Sequence, residues 1–382
     1  MSGLASTGDA KGSAFERTGG EGPLRVVLVG AGNMGRAWMR MLAGSPSVVL
    51  VGLVDLDVEL ARRAAAELSL DVVVGGALAE VAAASDAQAV IDVTVPPAHH
   101  AVNTEALFLG LPVLCEKPIA PTVAETLSLI AAEEITGRLL MTSQSRRYYP
   151  QLARLKAMAG ALGGIGFVTT EFFKAPHFGG FRDEMDHPLL VDMAIHGFDV
   201  ARYLLDADPV SVDCRTFNPS WSWYRGDAAA TAVFEFAGGT RFSYAGSWCS
   251  PGLETSWNGS WRISGAHGTV AWDGDGDPVA EFGEGAAAVE NGSSTVRPEI
   301  AGALDEFVDA LHTGTTPSGD VHSNVHSLAM VEAAVLSAAE HRTVLLADVL
   351  EDAYATALAN EARDDVREAL AEWGSAAAKL AH

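Results

Sequence analysis

The segment VVLVGAGNMG, residues 26–35, constrains the fold of this chain more than any other stretch. An apolar strand runs into Gly30, Gly32 and Gly35, and the residues that follow have the pattern of a helix. In such a GxGxxG turn the first glycine permits a tight bend, the second lets the backbone approach a pyrophosphate, and the third lets helix and strand pack closely. The helix N-terminus then presents unpaired amides to the phosphates. The segment therefore predicts a dinucleotide-binding site.

Asp55 strengthens this interpretation, because it ends the next apolar strand, twenty positions beyond Gly35. An acidic side chain at this point would accept hydrogen bonds from the adenosine ribose. Its charge would also repel a 2′-phosphate, so NAD is expected as the cofactor in preference to NADP. Arg62 and Arg63 in the following helix could soften that preference. The alternative is an ordinary turn followed by an ordinary surface aspartate.

Apolar strands and helices alternate regularly along residues 23–145. The strands are expected at 24–30, 48–55, 87–95, 112–117 and 138–145. Continuous Val/Ile/Leu strands separated by helices predict a parallel sheet covered on both faces. We expect an α/β Rossmann domain here, that is, a doubly wound parallel sheet.

Residues 146–346 follow a different pattern, in which strands succeed one another directly. Helices are expected at 148–159, 189–205, 301–312 and 323–341, strands at 166–174, 210–217, 229–236, 240–248, 260–265 and 268–274, and a surface loop at 283–295. Successive strands predict a mainly antiparallel or mixed sheet, and hence an α+β domain.

The two ends of the chain differ from the rest. Residues 1–22 are small and polar, which predicts a disordered leader. Residues 347–382 are expected to form a helical extension, because Leu358, Val366 and Leu370 recur at helical spacing over 351–382. The pattern leaves open whether this helix docks on its own chain or on a neighbour.

Charge and composition exclude several classes of protein. The net charge of −24 argues against binding to nucleic acid or to an anionic membrane surface. The three cysteines have no metal-like or disulfide-like spacing, and no stretch approaches the roughly 18 apolar residues of a membrane span. We expect a cytoplasmic protein without a metal site.

Two further segments carry candidate chemistry. VLCEKPIA places Glu116 and Lys117 at the carboxyl end of a parallel strand, where open α/β sheets form their ligand crevice. LLVDMAIHGFDV, residues 189–200, would put Asp192, His196 and Asp199 on one face of a helix. Lys117 could instead form a surface ion pair. The three polar side chains on this helix face could be hydrogen-bonded inside a core or could face a cleft. They could also bind a metal together with nearby His177, Asp186 and His187.

The chain resembles the Gfo/Idh/MocA family, named after glucose–fructose oxidoreductase, inositol dehydrogenase and a rhizopine-catabolism protein. The motifs that carry the resemblance are VGAGNMG, VPPAHH, CEKPIA, SRRYYP, DMAIHGFD, ISGAHGTV and SLAMVEAAVLSAAEHRTV. The resemblance covers residues 24–346. It implies that the second domain has a large open sheet, that the active site lies between the domains, and that the sheet's outer face builds a homodimer or homotetramer.

The resemblance also implies roles for single residues. Lys117 of the EKP motif would be catalytic, with Asp192 and His196 of the D-x-x-x-H helix. His196 would be the general base toward a substrate hydroxyl, Lys117 would hold the oxygen, and Asp192 would orient substrate or imidazole. Whether Lys117 or His196 takes the proton stays open. Ser145 replaces the Asn of many relatives, so no contact is carried over to it.

The remaining candidate contacts are less specific. The expected cofactor contacts, beyond Gly30, Gly32, Gly35, Asp55 and Lys117, are Asn33, Met34, Thr94, Pro96, His100 and Glu116. The expected substrate contacts, beyond Lys117, Asp192 and His196, are Arg147, Lys174, His177, Trp223 and Tyr224. His100 is expected to support the cofactor loop, and Asp199 is expected to pair with Arg202. The aromatic residues suit a sugar, although they could equally pack a loop or a subunit contact.

These observations favour NAD-dependent oxidation of a ring secondary alcohol in a sugar, glycoside or inositol-like polyol. The alternatives are an NAD-dependent glycoside hydrolase or eliminase of the same family, a reductase of a non-sugar substrate, and a non-catalytic dinucleotide-binding protein.

Overall fold

The N-terminal part of the chain forms a parallel six-stranded sheet, in a computed structural model that describes residues 15–18, 22–289 and 296–380. Its strands are β1 (Leu24–Val29), β2 (Val48–Val54), β3 (Val73–Gly75), β4 (Ala89–Asp92), β5 (Val113–Glu116) and β6 (Leu140–Ser143). They lie in the order β3-β2-β1-β4-β5-β6, and every neighbouring pair is parallel. Because the strand order reverses between β1 and β4, a crevice opens at the carboxyl edge of the sheet.

Helices cover both faces of this sheet, which confirms the doubly wound prediction. They are α1 (Asn33–Ala43), α2 (Val58–Glu67), α3 (Leu78–Ser85), α4 (Pro96–Phe108) and α5 (Val123–Thr136). A capping box between Thr122 and Glu125 starts α5, and Gly137 ends it in the left-handed conformation. The sequence did not predict β3 and α3, because a three-residue edge strand is too short to show a pattern.

The second sheet has eight strands and one open face. They are β7 (Ile165–Phe173), β8 (Pro209–Phe217), β9 (Ala229–Phe236), β10 (Arg241–Ser247), β11 (Ser260–Gly265), β12 (Gly268–Trp272), β13 (Val279–Phe282) and β14 (Val344–Leu345). Their order is β13-β12-β11-β7-β10-β9-β8-β14, and within the described residues every neighbouring pair is antiparallel except β7 with β10. The mixed, mainly antiparallel sheet confirms the predicted α+β class.

The inner face of the second sheet is covered by helices. They are α6 (Pro150–Gly160), α7 (Ile195–Leu205) and α9 (Val321–Glu340). The expected helix over 189–205 differs in its first part, because Leu189–Ala194 is π-helical before α7 begins. A π-helical turn carries more residues than an α-helical one, and such turns are frequent at functional sites.

Helix α8 (Glu299–Thr313) falls within the range expected for the second domain, yet it packs against the first sheet. Its Leu304 and Phe307 are buried in one cluster with Leu114 of β5 and Met141 of β6. A later segment of the chain therefore completes the core of the Rossmann domain and ties the two domains together.

The expected disordered leader over residues 1–22 is wrong for its described part. Phe15 is buried in the same cluster as α8, and the Glu16 amide donates to the Gly137 carbonyl across 2.8 Å. The Thr18 amide also donates to the Leu311 carbonyl, and Glu16 pairs with Arg138, so several contacts anchor this segment. The rest of the leader, 1–14 and 19–21, and residues 290–295 of the expected surface loop lie outside the described residues.

The C-terminal extension docks on its own chain as three helices rather than one. They are α10 (Leu346–Asn360), α11 (Asp364–Glu372) and α12 (Ala376–Leu380). The Trp373 indole donates to Glu134 of α5 and stacks on Tyr354, so the extension covers the outer side of α5. Among the described helices, none combines the length and the apolar character needed to cross a membrane.

Candidate active site

The glycine turn fits a dinucleotide. A Cβ at Gly30, where φ is +106°, would lie 2.7 Å from the Val93 carbonyl oxygen, and one at Gly35 would lie 2.0 Å from the Gly30 oxygen. A Cβ at Gly32 would meet nothing within 4 Å, so this glycine faces open space. No side chain caps the N-terminus of α1, which leaves the first amides, including those of Asn33 and Met34, free to bind a phosphate.

Asp55 lies beside this turn, as the sequence predicts. Its Oδ2 accepts the Ala31 amide at 2.7 Å, and its Oδ1 accepts the Asp57 amide at 2.9 Å. The Asp55 carboxylate is thus held at the end of β2, where a ribose would lie. Of the two arginines that could weaken the preference for NAD, Arg62 is paired with Glu59.

The loop after β4 is held by His99 rather than by the expected His100. Thr94 donates its amide and hydroxyl to Asp92, and Pro96 begins α4. One ring nitrogen of His99 lies 2.6 Å from the Pro118 carbonyl, and the other lies 3.2 Å from the Thr94 carbonyl. His100 points to Ser128 of α5. The sequence offered no signal to choose between two adjacent histidines.

Asp92, His99 and Cys115 bring candidate metal-ligand atoms within 4.8 Å of one another. Both ring nitrogens of His99, however, lie within hydrogen-bond distance of backbone carbonyl oxygens, so each nitrogen is already directed at a backbone acceptor. A ring nitrogen that donates has no lone pair for a metal. This cluster is therefore better described as a hydrogen-bonded support for the loop and for Pro118, which follows Lys117 through a cis peptide bond.

Lys117 and Asp192 meet between the domains. Lys117 follows β5, and its Nζ donates to the Asp192 backbone oxygen at 2.8 Å and to Asp192 Oδ1 at 3.2 Å. Arg182, on a short helical turn over Gly180–Glu184, donates from Nε to Asp192 Oδ2 at 2.6 Å. Burial raises the pKa of Asp192, but the two cations outweigh this effect and hold the pKa below its usual range.

Arg182 lies in the loop before the helical segment that carries Asp192 and His196, but the sequence did not single it out. A loop arginine with an acceptor ten residues away has no recognisable spacing. Only the folded loop brings it to Asp192.

His196 lies in the same site, at the start of α7 in the second domain. Burial lowers its pKa well below 6.5, and the positive charges of Lys117 and Arg146 lower it further. Its Nδ1 is buried and has no hydrogen-bond partner among the described residues. The ring is therefore neutral at physiological pH and available as a proton acceptor.

Glu116 supports Lys117 from within the first domain. Its Oε1 accepts the indole N–H of Trp38 at 2.9 Å, and its Oε2 accepts the Lys117 amide at 3.3 Å. Burial raises the pKa of Glu116, while the Trp38 hydrogen bond and the Lys117 charge oppose this rise. Trp38 was not predicted as part of the site.

Arg147 does not occupy the expected substrate position. Its Nε and Nη2 donate to the two carboxylate oxygens of Asp199 at 2.8 and 2.7 Å, and both side chains are buried. The expected pairing of Asp199 with Arg202 is also wrong, since Arg202 binds Asp208 and shares only the Ser327 hydroxyl with Asp199. The structure thus gives Arg147 a role inside the fold.

The other expected substrate contacts line the loops of the second domain. Lys174 donates to Glu254 at 2.8 Å, and its ammonium lies 4.9 Å from the centre of the Trp257 ring. His177 pairs with Asp183 at 2.9 Å and stacks on Trp223 with 4.8 Å between ring centres. Tyr224 is buried, and its hydroxyl donates to the Pro176 carbonyl, so this side chain supports the loop.

A small pocket of about 20 Å³ lies against His196. Arg146, Trp257 and Asn258 line it together with His196 and the inner face of the second sheet. The sequence did not identify Trp257 and Asn258, because they stand in the turn between β10 and β11 with no motif around them.

Comparison with protein families supports this arrangement. Residues 24–144 match the oxidoreductase family with an NAD-binding Rossmann fold, and residues 151–271 match the Gfo/Idh/MocA C-terminal domain. The first matched region contains all six strands of the first sheet, and the second contains β7 to β11 and most of β12.

Individual relatives were found among curated proteins. The chain is 30% identical over 267 residues to the uncharacterized protein y4oX of Sinorhizobium fredii, a match that covers 65% of this chain and 72% of that protein. It is 37% identical over 199 residues to inositol 2-dehydrogenase 4 of Saccharopolyspora erythraea, covering 50% of this chain and 57% of that protein. The chain thus spans little more than half the length of this inositol dehydrogenase.

Solved structures share the fold over most of the chain. An oxidoreductase from Agrobacterium radiobacter in complex with NAD⁺, L-tartaric acid and magnesium has a TM-score of 0.75 at 21% identity, covering 86% of this chain and 99% of that one. For myo-inositol 2-dehydrogenase from Lactobacillus plantarum the TM-score is 0.71 at 21% identity, with coverages of 85% and 99%. The matches to both domain families and to the Sinorhizobium fredii protein show that this chain belongs to the Gfo/Idh/MocA family of NAD-binding oxidoreductases.

Proposed function

We propose that the protein is an NAD-dependent dehydrogenase that oxidises a ring secondary alcohol of a sugar, glycoside or inositol-like polyol. The observation that carries this proposal is the convergence of Lys117, from the edge of the first sheet, with Asp192 and His196 from the second domain. A neutral imidazole that lines a pocket and an ammonium donor close enough to lower its pKa are groups that can together remove a hydroxyl proton.

Lys117 holds the substrate oxygen. Its ammonium has three N–H donors, of which two are directed at Asp192, so the third remains for the substrate hydroxyl. The carboxylate of Asp192, itself fixed by Arg182, restricts where this ammonium can lie. Hydrogen bonding to the ammonium favours ionisation of the hydroxyl.

His196 accepts the hydroxyl proton. The depressed pKa keeps the ring neutral, and because Nδ1 is enclosed we assign the accepting lone pair to Nε2. Bound NAD would take up, as a hydride, the hydrogen of the carbon that bears this hydroxyl. The alcohol thereby loses a hydride and a proton and becomes a ketone.

The cofactor is held by the groups around the glycine turn. The free amides at the start of α1 bind the pyrophosphate, and Asp55 accepts hydrogen bonds from the adenosine ribose. Because the Asp55 carboxylate repels a 2′-phosphate, NAD is preferred to NADP. The aromatic face of Trp257 suits the apolar C–H side of a sugar ring.

The proposal is tested by incubating the purified protein with NAD and a panel of inositols, aldoses and glycosides while absorbance at 340 nm is followed. Net formation of reduced cofactor in the wild type, with loss of about 10²–10⁴-fold in Lys117→Met and His196→Ala, supports the dehydrogenase. Cleaved glycoside without net reduction would favour the hydrolase or eliminase instead. Cofactor binding without any product would favour a non-catalytic protein.

We further propose that the chain forms a homodimer or homotetramer through the open face of the second sheet. Phe167 of β7 and Val233 of β9 project from this face and are 46% and 44% exposed. Exposed apolar side chains on a sheet face are typical of interfaces. Light scattering coupled to size-exclusion chromatography would give the mass of the assembly. The double variant Phe167→Lys/Val233→Lys should be monomeric if this face forms the contact.

A further inference from the structure

One edge of the Arg146 guanidinium, formed by Nε and Nη2, makes no hydrogen bond to the described residues. Its Nη1 donates to Asn258 Oδ1 at 3.0 Å and to the Tyr149 hydroxyl at 3.3 Å. Its Nε is buried and has no hydrogen-bond partner, and within the described residues no carboxylate lies within ion-pair distance of the guanidinium. The nearest link to a carboxylate is indirect, because the Tyr149 hydroxyl donates in turn to Glu299.

Other arginines of this chain show what that edge ordinarily does. Arg147 and Arg363 each direct Nε and Nη2 at the two oxygens of one carboxylate, in Asp199 and Asp365 respectively. Such two-pronged pairing matches the planar fork of guanidinium to the planar carboxylate. In Arg146 the same Nε–Nη2 edge makes no hydrogen bond to any described residue.

The position of this edge connects it with the reacting groups. Arg146 lines the same pocket as His196, and its charge is one of the two that lower the His196 pKa. The other cations around the site, Lys117, Arg182 and Lys174, each lie within 4 Å of a carboxylate. Arg146 therefore offers a positive charge to the pocket that the protein itself leaves without a direct counter-ion in the part described.

We propose that the Nε–Nη2 edge of Arg146 binds a carboxylate of the substrate, so that the preferred substrate is a sugar acid, a ring polyol that carries a carboxylate. This inference rests on the proposed dehydrogenase function and narrows its substrate class. Asn258 holds the opposite side of the guanidinium and thereby aims the free edge. The bound carboxylate would supply the missing counter-ion and would offset the charge that makes His196 a weak base.

The test compares matched pairs of substrates with the NAD-loaded wild-type enzyme. Glucuronate is set against glucose, and galacturonate against galactose, with glucose 6-phosphate as a separate arm for a phosphate. We expect kcat/KM to be about 10- to 100-fold higher for each acid than for its neutral partner, as for other charge-assisted hydrogen bonds. A preference for glucose 6-phosphate over both uronates would overturn the assignment to a carboxylate.

Variants then locate the effect. Arg146→Gln should remove the preference by raising KM for the acids about 10- to 100-fold, while KM for the neutral sugars changes little. Loss of the Arg146 charge also raises the His196 pKa, so the acid limb of the kcat/KM profile should move to higher pH for both kinds of sugar. Arg146→Lys should restore only part of the preference because an ammonium lacks the fork. The matched control is Arg154→Gln, since Arg154 is a half-exposed cation on α6 that pairs with Asp277 outside this pocket. Equal losses for acids and neutral sugars in Arg146→Gln, with an unchanged melting temperature, would refute the subsite.

A binding measurement separates this inference from the function on which it rests. Calorimetric titration of the NAD-loaded protein with glucuronate requires no turnover. Arg146-dependent binding without formation of reduced cofactor would retain the subsite and refute the dehydrogenase. Turnover of neutral polyols with no Arg146-dependent binding of glucuronate would retain the dehydrogenase and refute the subsite.

Discussion

The indole nitrogen of Trp38 and the carboxylate of Glu116 are 2.9 Å apart, although 78 residues separate them in sequence. The hydrogen bond joins the first helix of the Rossmann domain to the residue that precedes Lys117. Glu116 in turn accepts the Lys117 amide. We therefore predict that Trp38 is a positioning residue that acts on the Lys117 ammonium through Glu116.

We expect Trp38→Phe to destabilise the protein by about 1–3 kcal/mol, because it leaves a buried carboxylate with one hydrogen bond fewer. It should also lower kcat by a few-fold with KM nearly unchanged, since Lys117 is less well placed. Chemical unfolding and steady-state kinetics give the two values. A double-mutant cycle with Glu116→Gln isolates the pairwise coupling, and a coupling near zero would show that the bond has no role.

Removal of Lys117 should change the pH dependence of the remaining activity as well as its size. The ammonium of Lys117 is one of the charges that lower the pKa of His196. Lys117→Met therefore raises the pKa of His196 toward its usual value, so the imidazole becomes protonated at a higher pH. We expect the acid limb of the kcat/KM profile to move to higher pH in this variant. A limb that stays in place would indicate that another group is the base.

Asp55 should decide between the two nicotinamide cofactors. Asp55→Asn removes the charge that would repel a 2′-phosphate, while the amide oxygen can still accept the Ala31 amide. We expect the ratio of kcat/KM with NAD to kcat/KM with NADP to fall about 10- to 100-fold, because one charge close to the 2′-phosphate is lost. Asp57→Asn is the matched control, because Asp57 caps α2 two residues away and should leave the cofactor preference unchanged.

The architecture could be predicted from the sequence because its strands are continuous apolar runs. Strands β1 and β9 were expected within a residue of their observed bounds, and Lys117, Asp192 and His196 were expected to converge. The first inference depends on patterns within short segments, whereas the convergence of the three side chains was implied by the resemblance to the Gfo/Idh/MocA family.

Partners that lie far apart in sequence could not be predicted. Asp199 was expected to pair with Arg202, three residues away, but it binds Arg147, 52 residues away. Local spacing favours the pairing of Asp199 with Arg202, whereas the packing of the helices brings Asp199 to Arg147 instead. Trp257 was missed for the same reason, since it stands in a turn that has no repeating pattern. Arg146 belongs to the SRRYYP motif, but the motif does not show which of its donors lack a partner.

The neighbouring arginines 146 and 147 should respond to substitution in opposite ways. Arg147→Gln leaves the buried Asp199 carboxylate without its cation, so we expect a loss of about 3–5 kcal/mol in the free energy of unfolding. Arg146→Gln should alter substrate preference with a much smaller loss of stability. Urea unfolding of both variants measures the difference. Similar losses of stability would mean that Arg146 also has a structural role.

His322 should make the docking of α9 on α5 sensitive to pH. Its Nε2 lies 3.1 Å from the Glu133 carboxylate, and its Nδ1 lies 4.0 Å from that of Glu134. Burial lowers the pKa of His322, but the hydrogen bond and charge of Glu133, together with the charges of Asp320 and Glu134, raise it above 6.5 overall. Protonated His322 therefore stabilises the folded state, and this stabilisation is lost as the pH rises through the raised pKa.

The substitution His322→Asn tests this linkage. Burial also raises the pKa of Glu133 above 4.5. Ionisation of Glu133 therefore also lowers the free energy of unfolding as the pH increases above 4.5. We expect the variant to be less stable than the wild type by about 1 kcal/mol near pH 6, and the difference to shrink toward pH 9, where His322 is neutral in both folded and unfolded chains. Urea unfolding followed by tryptophan fluorescence measures it, with His312→Asn as the control because His312 is exposed at the end of α8. A difference of the same size at both pH values would mean that the side chain contributes by packing, and that its charge does not matter.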